Sequence, residues 1–184
     1  MSVIATYDES YLMVPFDDPY KVHQFLAKEF DGVDLGNSRF LHRFDRISEQ
    51  MLVSVRTPPG LMPDSLSHQS KLVEIELEKG AEYAFRLRTP AYTRSHGVVN
   101  NKLGLEAIEW LKDRSKARGF EVISSVADNT AECFRIRGRK TYINDTEFEG
   151  HLRIVDPEIL AGVLLQGFGR SKGLGYGLLE LNVE

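Results

Sequence analysis

Hydrophobic residues alternate with polar ones in some stretches of the chain and recur at helical spacing in others, and the two periods divide it into elements. Alternation over Tyr11–Phe16 predicts a strand, and the following Asp18-Pro19 reads as an N-cap with proline at the first helical position. A helix from Pro19 to about Phe30 places Val22, Phe25, Leu26 and Phe30 on one stripe, and Gly32 ends it. Strands are predicted near Ser38–Arg46 and Met51–Arg56, then a loop marked by Pro58, Pro59, Gly60 and Pro63. The segments Lys71–Glu78 and Ala81–Thr89 alternate as Val73, Ile75, Leu77 and Tyr83, Phe85, Leu87 about a turn at Lys79-Gly80.

Further on, a helix from about Gly104 to Arg118 is expected to turn Leu105, Ile108 and Leu111 inward and to stop at Gly119. Strands fit Glu121–Val126, Glu132–Ile136, Lys140–Asn144 and Phe148–Val155, the middle two turning at Gly138. Asp156-Pro157 repeats the cap of the first helix. It opens a helix to about Gln166 that carries Ile159, Leu160, Val163 and Leu164 on its apolar side, and a strand over Gly177–Val183 follows. From Ala81 onward the order reads β-α-β-β(β)-α-β, the split βαβ arrangement, and the first half is a similar, less complete unit. The fold class expected is therefore α+β, with two tandem ferredoxin-like domains, 1–80 and 81–184, and no flexible linker.

The 184 residues suffice for one domain or two small ones with a core of their own. Lys and Arg number 23 against 27 Asp and Glu, a formal charge of −4, which argues against a wholly basic protein that coats nucleic acid. The charge is unevenly placed, however. Residues 1–80 hold 8 basic and 13 acidic side chains, and residues 81–184 hold 15 and 14. The acid-free run Tyr83–Leu105 carries Arg86, Arg88, Arg94 and Lys102; the run Cys133–Asn144 carries Arg135, Arg137, Arg139 and Lys140; a third group is Lys112, Arg114, Lys116 and Arg118. Any one such run is ordinarily a solvated face, but three in one half would suit a surface for a polyanion. A single cysteine, Cys133, excludes an internal disulfide and a cysteine-based zinc site, and reads as a small core residue in a reducing compartment. The first residues lack the charged flank and apolar run of a secretory signal, and no stretch reaches a membrane span, so a soluble, cytoplasmic protein without a membrane partner is expected.

The most unusual stretch runs from Gly167 to Gly177 and holds Gly167, Gly169, Gly173, Gly175 and Gly177, with Arg170, Ser171 and Lys172 among them. A phosphate loop or dinucleotide fingerprint needs a strand before and a helix after. The order here is the reverse, so neither motif applies. What remains is a loop whose backbone passes close to a partner or to a neighbouring element and carries two cations.

A short helix, a loop of the form G-x-G-x-x-K-x-x-G-x-G and a Leu-Leu strand resemble the repeat-associated RNA-binding proteins of CRISPR systems. More narrowly they resemble the CRISPR-RNA-processing endoribonucleases of the Cascade complex, the CasE family. The segments Asp18–Gln24 with its Tyr20/His23 pair, Phe40–Phe44, Val73–Leu77, Tyr83–Arg88, Ala107–Leu111 and Phe148–Gly150 occur in that family's order and span most of the chain. The resemblance implies cleavage of a precursor CRISPR RNA at the 3′ base of a repeat stem-loop. The 2′-hydroxyl attacks the adjacent phosphorus, leaving a 2′,3′-cyclic phosphate and a 5′-hydroxyl, with neither metal nor cofactor. The partners implied are the repeat stem-loop and other Cascade subunits.

Tyr20 and His23 are three apart on one helix and project from neighbouring positions. His23 suits proton transfer, as base towards the 2′-hydroxyl or as acid towards the leaving oxygen, and Tyr20 suits orientation of a hydroxyl or phosphate. Lys172 joins them as the third catalytic candidate, with Arg170, Ser171, Gly169 and Gly173 holding RNA around it. The hairpin cations Arg135, Arg137, Arg139 and Lys140 are expected to grip a duplex, with Arg135, Arg137 and Arg139 on one side by alternation unless the Gly138 turn breaks that register, and Arg86 and Arg88 are secondary RNA contacts. No His, Asp or Glu cluster has metal-ligand spacing. The competing readings are a non-catalytic RNA-binding subunit, expected if Tyr20 and His23 do not reach the glycine loop, and a ferredoxin-like protein-interaction module.

Overall fold

The structure, a computed structural model, describes residues 2–37, 39–136 and 138–182. Strand β1 (Ser2–Val14) leads into helix α1 (Pro19–Glu29), then strands β2 (Leu41–Ile47) and β3 (Gln50–Thr57), a single helical turn α2 (Asp64–Ser67) and strand β4 (Ser70–Glu78). These four strands form one antiparallel sheet in the order β2-β3-β1-β4. Asp18 caps α1 as the sequence predicts, its side chain accepting from the amide of Tyr20, with Pro19 opening the first turn. Val22 and Leu26 are wholly buried against Phe44, Met51, Val53 and Val55. Strand β1 runs nine residues further towards the N-terminus than the alternation suggests. Between β3 and β4 both of its edges are paired, so the ladder carries the chain through the polar Asp8, Glu9 and Ser10.

At Lys79-Gly80 the chain leaves this sheet. Strands β4 and β5 (Glu82–Arg88) do not form a hairpin; β5 belongs to a second antiparallel sheet. A small hairpin, β6 (Tyr92–Ser95) with β7 (Val98–Asn101), precedes helix α3 (Leu105–Ser115), and its short polar strands carry no alternation to announce them. The four strands expected between Glu121 and Val155 are two long ones, β8 (Phe120–Ile136) and β9 (Arg139–Ile154), paired almost without interruption through the polar residues at their middle. Helix α4 (Pro157–Gln166) and strand β10 (Leu179–Asn182) complete the second sheet, ordered β10-β5-β9-β8.

Two helical stripes differ from expectation. In α3 the buried positions are Ala107, Leu111 and Ser115, one turn apart, whereas Leu105 lies exposed in the first turn. In α4 Leu160, Val163 and Leu164 are buried and Ile159 is exposed.

Helix α4 packs on β1 and β4 of the first sheet as well as on β10. One hydrophobic cluster therefore joins Ala5, Tyr7, Ile75 and Leu77 of the first sheet to Phe85, Leu87, Phe148 and Leu152 of the second. A separate cluster lies between α1 and the other face of the first sheet. The first sheet separates the two, because alternate residues of a strand point to opposite faces. Phe44 looks towards α1, while Leu41 and Arg43 look towards the second sheet.

The inter-sheet layer is heavily charged. Arg43, 1% exposed, donates to Asp45 at 3.1 Å and Glu147 at 2.6 Å and stands 3.6 Å from Glu180. Arg56 pairs with Glu9 at 2.9 Å, donates to the carbonyl of Leu179 at 2.8 Å, and stacks its guanidinium 4.0 Å from the Tyr7 ring centroid. Arg86 pairs with Asp45 and Glu147, and Arg88 donates to Asp145 at 3.0 Å and to the Phe44 carbonyl at 2.5 Å. Burial raises the carboxyls of Asp45, Asp145, Glu147 and Glu180, but only Asp145 and Glu180 end above their ordinary values; the guanidiniums of Arg43 and Arg86 hold Asp45 and Glu147 below theirs.

This layer corrects one expectation. The basic run at Tyr83–Leu105 predicts that Arg86 and Arg88 face RNA, but β5 is an inner strand and the charge of both side chains is taken up by neighbouring acids. Phe85 and Leu87 point into the core, and the two arginines bridge to β2 and β9.

Candidate active site

The glycine segment folds back over α1 and β2. Its return is set by two short backbone hydrogen bonds: the amide of Phe168 donates to the carbonyl of Gly177 at 2.7 Å, and the amide of Gly177 donates to the carbonyl of Arg88 at 2.7 Å. Gly177 has a φ of +85°, and a Cβ there would stand 2.2 Å from the Phe168 carbonyl oxygen, so only glycine closes this turn. Between these anchors Lys172–Leu174 form a 3-10 turn, preceded by Ser171 at a φ of 61°. That turn lies against α1 and β2.

The contact that defines the site is between Gly173 and His23. A Cβ on Gly173 would stand 3.5 Å from Cε1 of His23, which leaves room for a methyl group and no more. Tyr20 is beside the imidazole, ring centroids 6.2 Å apart, and behind it lie Phe40 at 6.4 Å and His42 at 6.1 Å, the latter nearly parallel at 18°. His23 is half-buried, with Nδ1 buried and without a hydrogen-bond partner among the described residues. Burial holds its pKa below the ordinary histidine value, so the neutral ring predominates at neutral pH.

Among the other sequence candidates, Lys172 sits on the turn that touches α1, with Cε 3.0 Å from where a Gly167 Cβ would be. Burial, and then the cations Arg39 and Arg118, lower its pKa. Gly169 approaches Thr89, and Arg170 lines a neighbouring cleft. The long hairpin is brought to the same side. Arg46 donates to the Asp17 carbonyl just before α1 and to Glu132 of β8, both at 2.5 Å. Phe134 of β8 packs edge-on against Tyr176 of the glycine segment, which packs edge-on against Phe44.

At the hairpin tip Arg135 lies opposite Lys140, and Arg139 lies opposite Ile136. Arg135 therefore shares its face with Lys140 and not with Arg139, because the Gly138 turn breaks the alternation and puts Arg139 on the opposite face. Arg137 lies outside the described residues.

The sequence reading missed Arg39, Arg46 and Tyr176, and gave His42 no role. His42 is fully buried, neither of its ring nitrogens has a partner among the described residues, and burial, then the neighbouring His23, lower its pKa to about 3. Strand alternation in Phe40-Leu-His-Arg-Phe44 was the signal available, since it puts His42 on the same face as Phe44. Among the described residues no group of three or more His, Cys, Asp and Glu is placed to hold a metal ion, and no helix is long and apolar enough to cross a membrane.

A two-sheet α+β body with a helix-borne histidine pressed against a glycine loop is the class of protein that fold and site define. The chain belongs to the CRISPR associated protein family, whose profile matches residues 10–182. It is 29% identical over 189 aligned residues to the CRISPR-associated endoribonuclease Cse3 of Thermus thermophilus, covering 89% of this chain and 90% of that protein. It is 27% identical to the Cascade subunit CasE of Escherichia coli K12, covering 89% and 92%. In fold it resembles the solved structure of Thermus thermophilus Cse3 bound to an RNA representing a pre-cleavage complex, with a TM-score of 0.73 and 24% identity over 97% of this chain and 100% of that one.

Proposed function

We propose that this protein is a metal-independent endoribonuclease. It cuts precursor CRISPR RNA at the 3′ base of a repeat stem-loop, and it keeps the product hairpin as a Cascade subunit in the cytoplasm. The observation that carries the reading is the packing of His23 against Gly173, which joins a titratable group to a loop bearing cations. This packing favours catalysis over a passive RNA-binding role. With Nδ1 buried, proton exchange with RNA runs through Nε2. Tyr20 orients the reacting hydroxyl or a phosphate oxygen, and Lys172 faces the charge that builds on phosphorus. Arg135 and Lys140, side by side on the hairpin, grip the duplex backbone. The body that presents them reads as two tandem ferredoxin-like domains, 1–80 and 81–184. The shared strand order of the two sheets supports this, β2-β3-β1-β4 matching β8-β9-β5-β10 when the strands of each four-stranded sheet are numbered in chain order, with α2 a remnant of the first half's second helix.

The test is cleavage of a repeat hairpin in EDTA by the native protein and by His23→Ala. The variant is expected to bind the hairpin within about twofold of native and to cleave at least about 100-fold more slowly, the scale of a lost proton-transfer group. A 2′-deoxy residue before the scissile phosphate is expected to block the native protein. Undiminished cleavage by His23→Ala would remove the histidine from the mechanism, and inhibition by EDTA would replace it with metal chemistry.

A further inference from the structure

Beside the glycine loop a cleft of about 640 Å³ opens between the β6–β7 hairpin, α3 and the loop itself. Its lining includes Arg94, Arg114, Arg118 and Arg170 and a single acidic residue, Asp113. Among the described residues none of the four arginines forms an ion pair, whereas the inter-sheet arginines are all paired. The floor is aromatic. The Trp110 indole donates to the Tyr92 carbonyl at 2.9 Å, stacks on Phe148 at 6.4 Å and 13°, and meets Phe168 edge-on. The Arg114 guanidinium lies 4.9 Å from the indole centroid, so its plane is held in place by the ring. Four guanidiniums without an ion-pair partner, one of them over the Trp110 ring, match a ligand with both a flat π-face and phosphate charge. A guanidinium plane stacks on a base while its edge takes phosphate oxygens in a fork. The volume falls within the ~300–1,000 Å³ of sites for small organic ligands, enough for a nucleotide.

The cleft is continuous with the candidate active site. Gly169 and Arg170 belong to both the cleft wall and the glycine loop, and Arg118 is close enough to Lys172 to lower its pKa. We propose that this cleft is a nucleotide subsite: it holds an unpaired nucleotide adjoining the stem of the bound RNA, its base on the Arg114–Trp110 stack and its phosphate between Arg118 and Arg170. The assignment rests on the RNA-cleaving reading above and extends it from the stem to the single strand beside the cut.

The experiment compares a bare repeat hairpin with hairpins that carry two unpaired nucleotides on the 5′ or the 3′ side of the stem. All carry a 2′-deoxy block at the cut, and binding is measured at fixed salt to the native protein and to Arg94→Ala/Arg114→Ala. Native protein is expected to bind one extended hairpin about tenfold tighter than the bare one, within the range of a stacked base. The double variant should reduce that ratio to below about twofold while its thermal unfolding stays unchanged. Each protein's bare-hairpin affinity is its own reference. If the bare hairpin itself fails to bind the native protein, the RNA-processing reading falls. If it binds and neither extension adds affinity, or the gain survives in the double variant, the subsite assignment falls. Displacement of an acidic peptide, or of a free nucleoside monophosphate, from the cleft with no gain from either extension would likewise overturn it in favour of that ligand.

Discussion

The layer between the two sheets and the face around the glycine loop are built from the same kinds of residue and use them in opposite ways. Between the sheets, Arg43, Arg56, Arg86 and Arg88 each meet a carboxylate, and for all but the partly exposed Arg86 the charge is cancelled where water is largely excluded. Around the loop, Arg94, Arg114, Arg118 and Arg170 have no such partner among the described residues. The histidines divide likewise. His42, on β2, is sealed under α1 and the glycine loop, and His23, one ring away, reaches the surface beside Gly173. A cation serves architecture when an acid faces it and recognition when none does, so the difference lies in the opposing strand rather than in the residue.

The sharpest way to break this contrast is Arg43→Ala. Removing the central guanidinium of a buried ion-pair cluster leaves Glu180 without an ion-pair partner and Asp45 and Glu147 with Arg86 alone, and a drop of about 3–5 kcal/mol is expected in urea unfolding. A drop under about 1 kcal/mol would mean that the cluster does not hold the sheets together.

His42 gives the next largest effect. Its folded-state pKa, about 3, lies below that of the unfolded chain, so the unfolded state takes up the proton first. The stability it contributes is complete above about pH 6.5 and drains away as pH falls towards 3. Between pH 7 and pH 5 the native protein should lose about 2 kcal/mol more unfolding free energy than His42→Phe. Parallel pH profiles for the two proteins would show that His42 is not held neutral.

The smallest effect belongs to the open face. Arg135→Ala/Lys140→Ala should change stability by less than about 0.5 kcal/mol. It should weaken hairpin binding and flatten the log-affinity against log-salt slope by roughly one for each phosphate no longer held. An unchanged salt slope would remove this pair from the RNA interface.

Much of the frame is local and could be read directly. The Asp-Pro caps of α1 and α4, the Tyr20/His23 spacing and the odd density of glycine in 167–177 each arise from backbone and side-chain preferences within a few residues. The Gly138 turn between β8 and β9 was legible for the same reason. Arg86 and Arg88 were not. Their run looks as basic as the one at 133–144, and the acids that neutralise them, Asp45, Asp145 and Glu147, lie about 40 to 60 positions away in the chain.

The sequence by itself determined which residues could carry proton transfer and which segment could let a backbone approach them. Tertiary structure alone decided which of two stacked histidines is sealed under that backbone and which stays partly open beside it, and which arginines stay unpaired. Those outcomes depend on strand pairing and sheet packing between distant segments, and pairing register sets which face each side chain occupies.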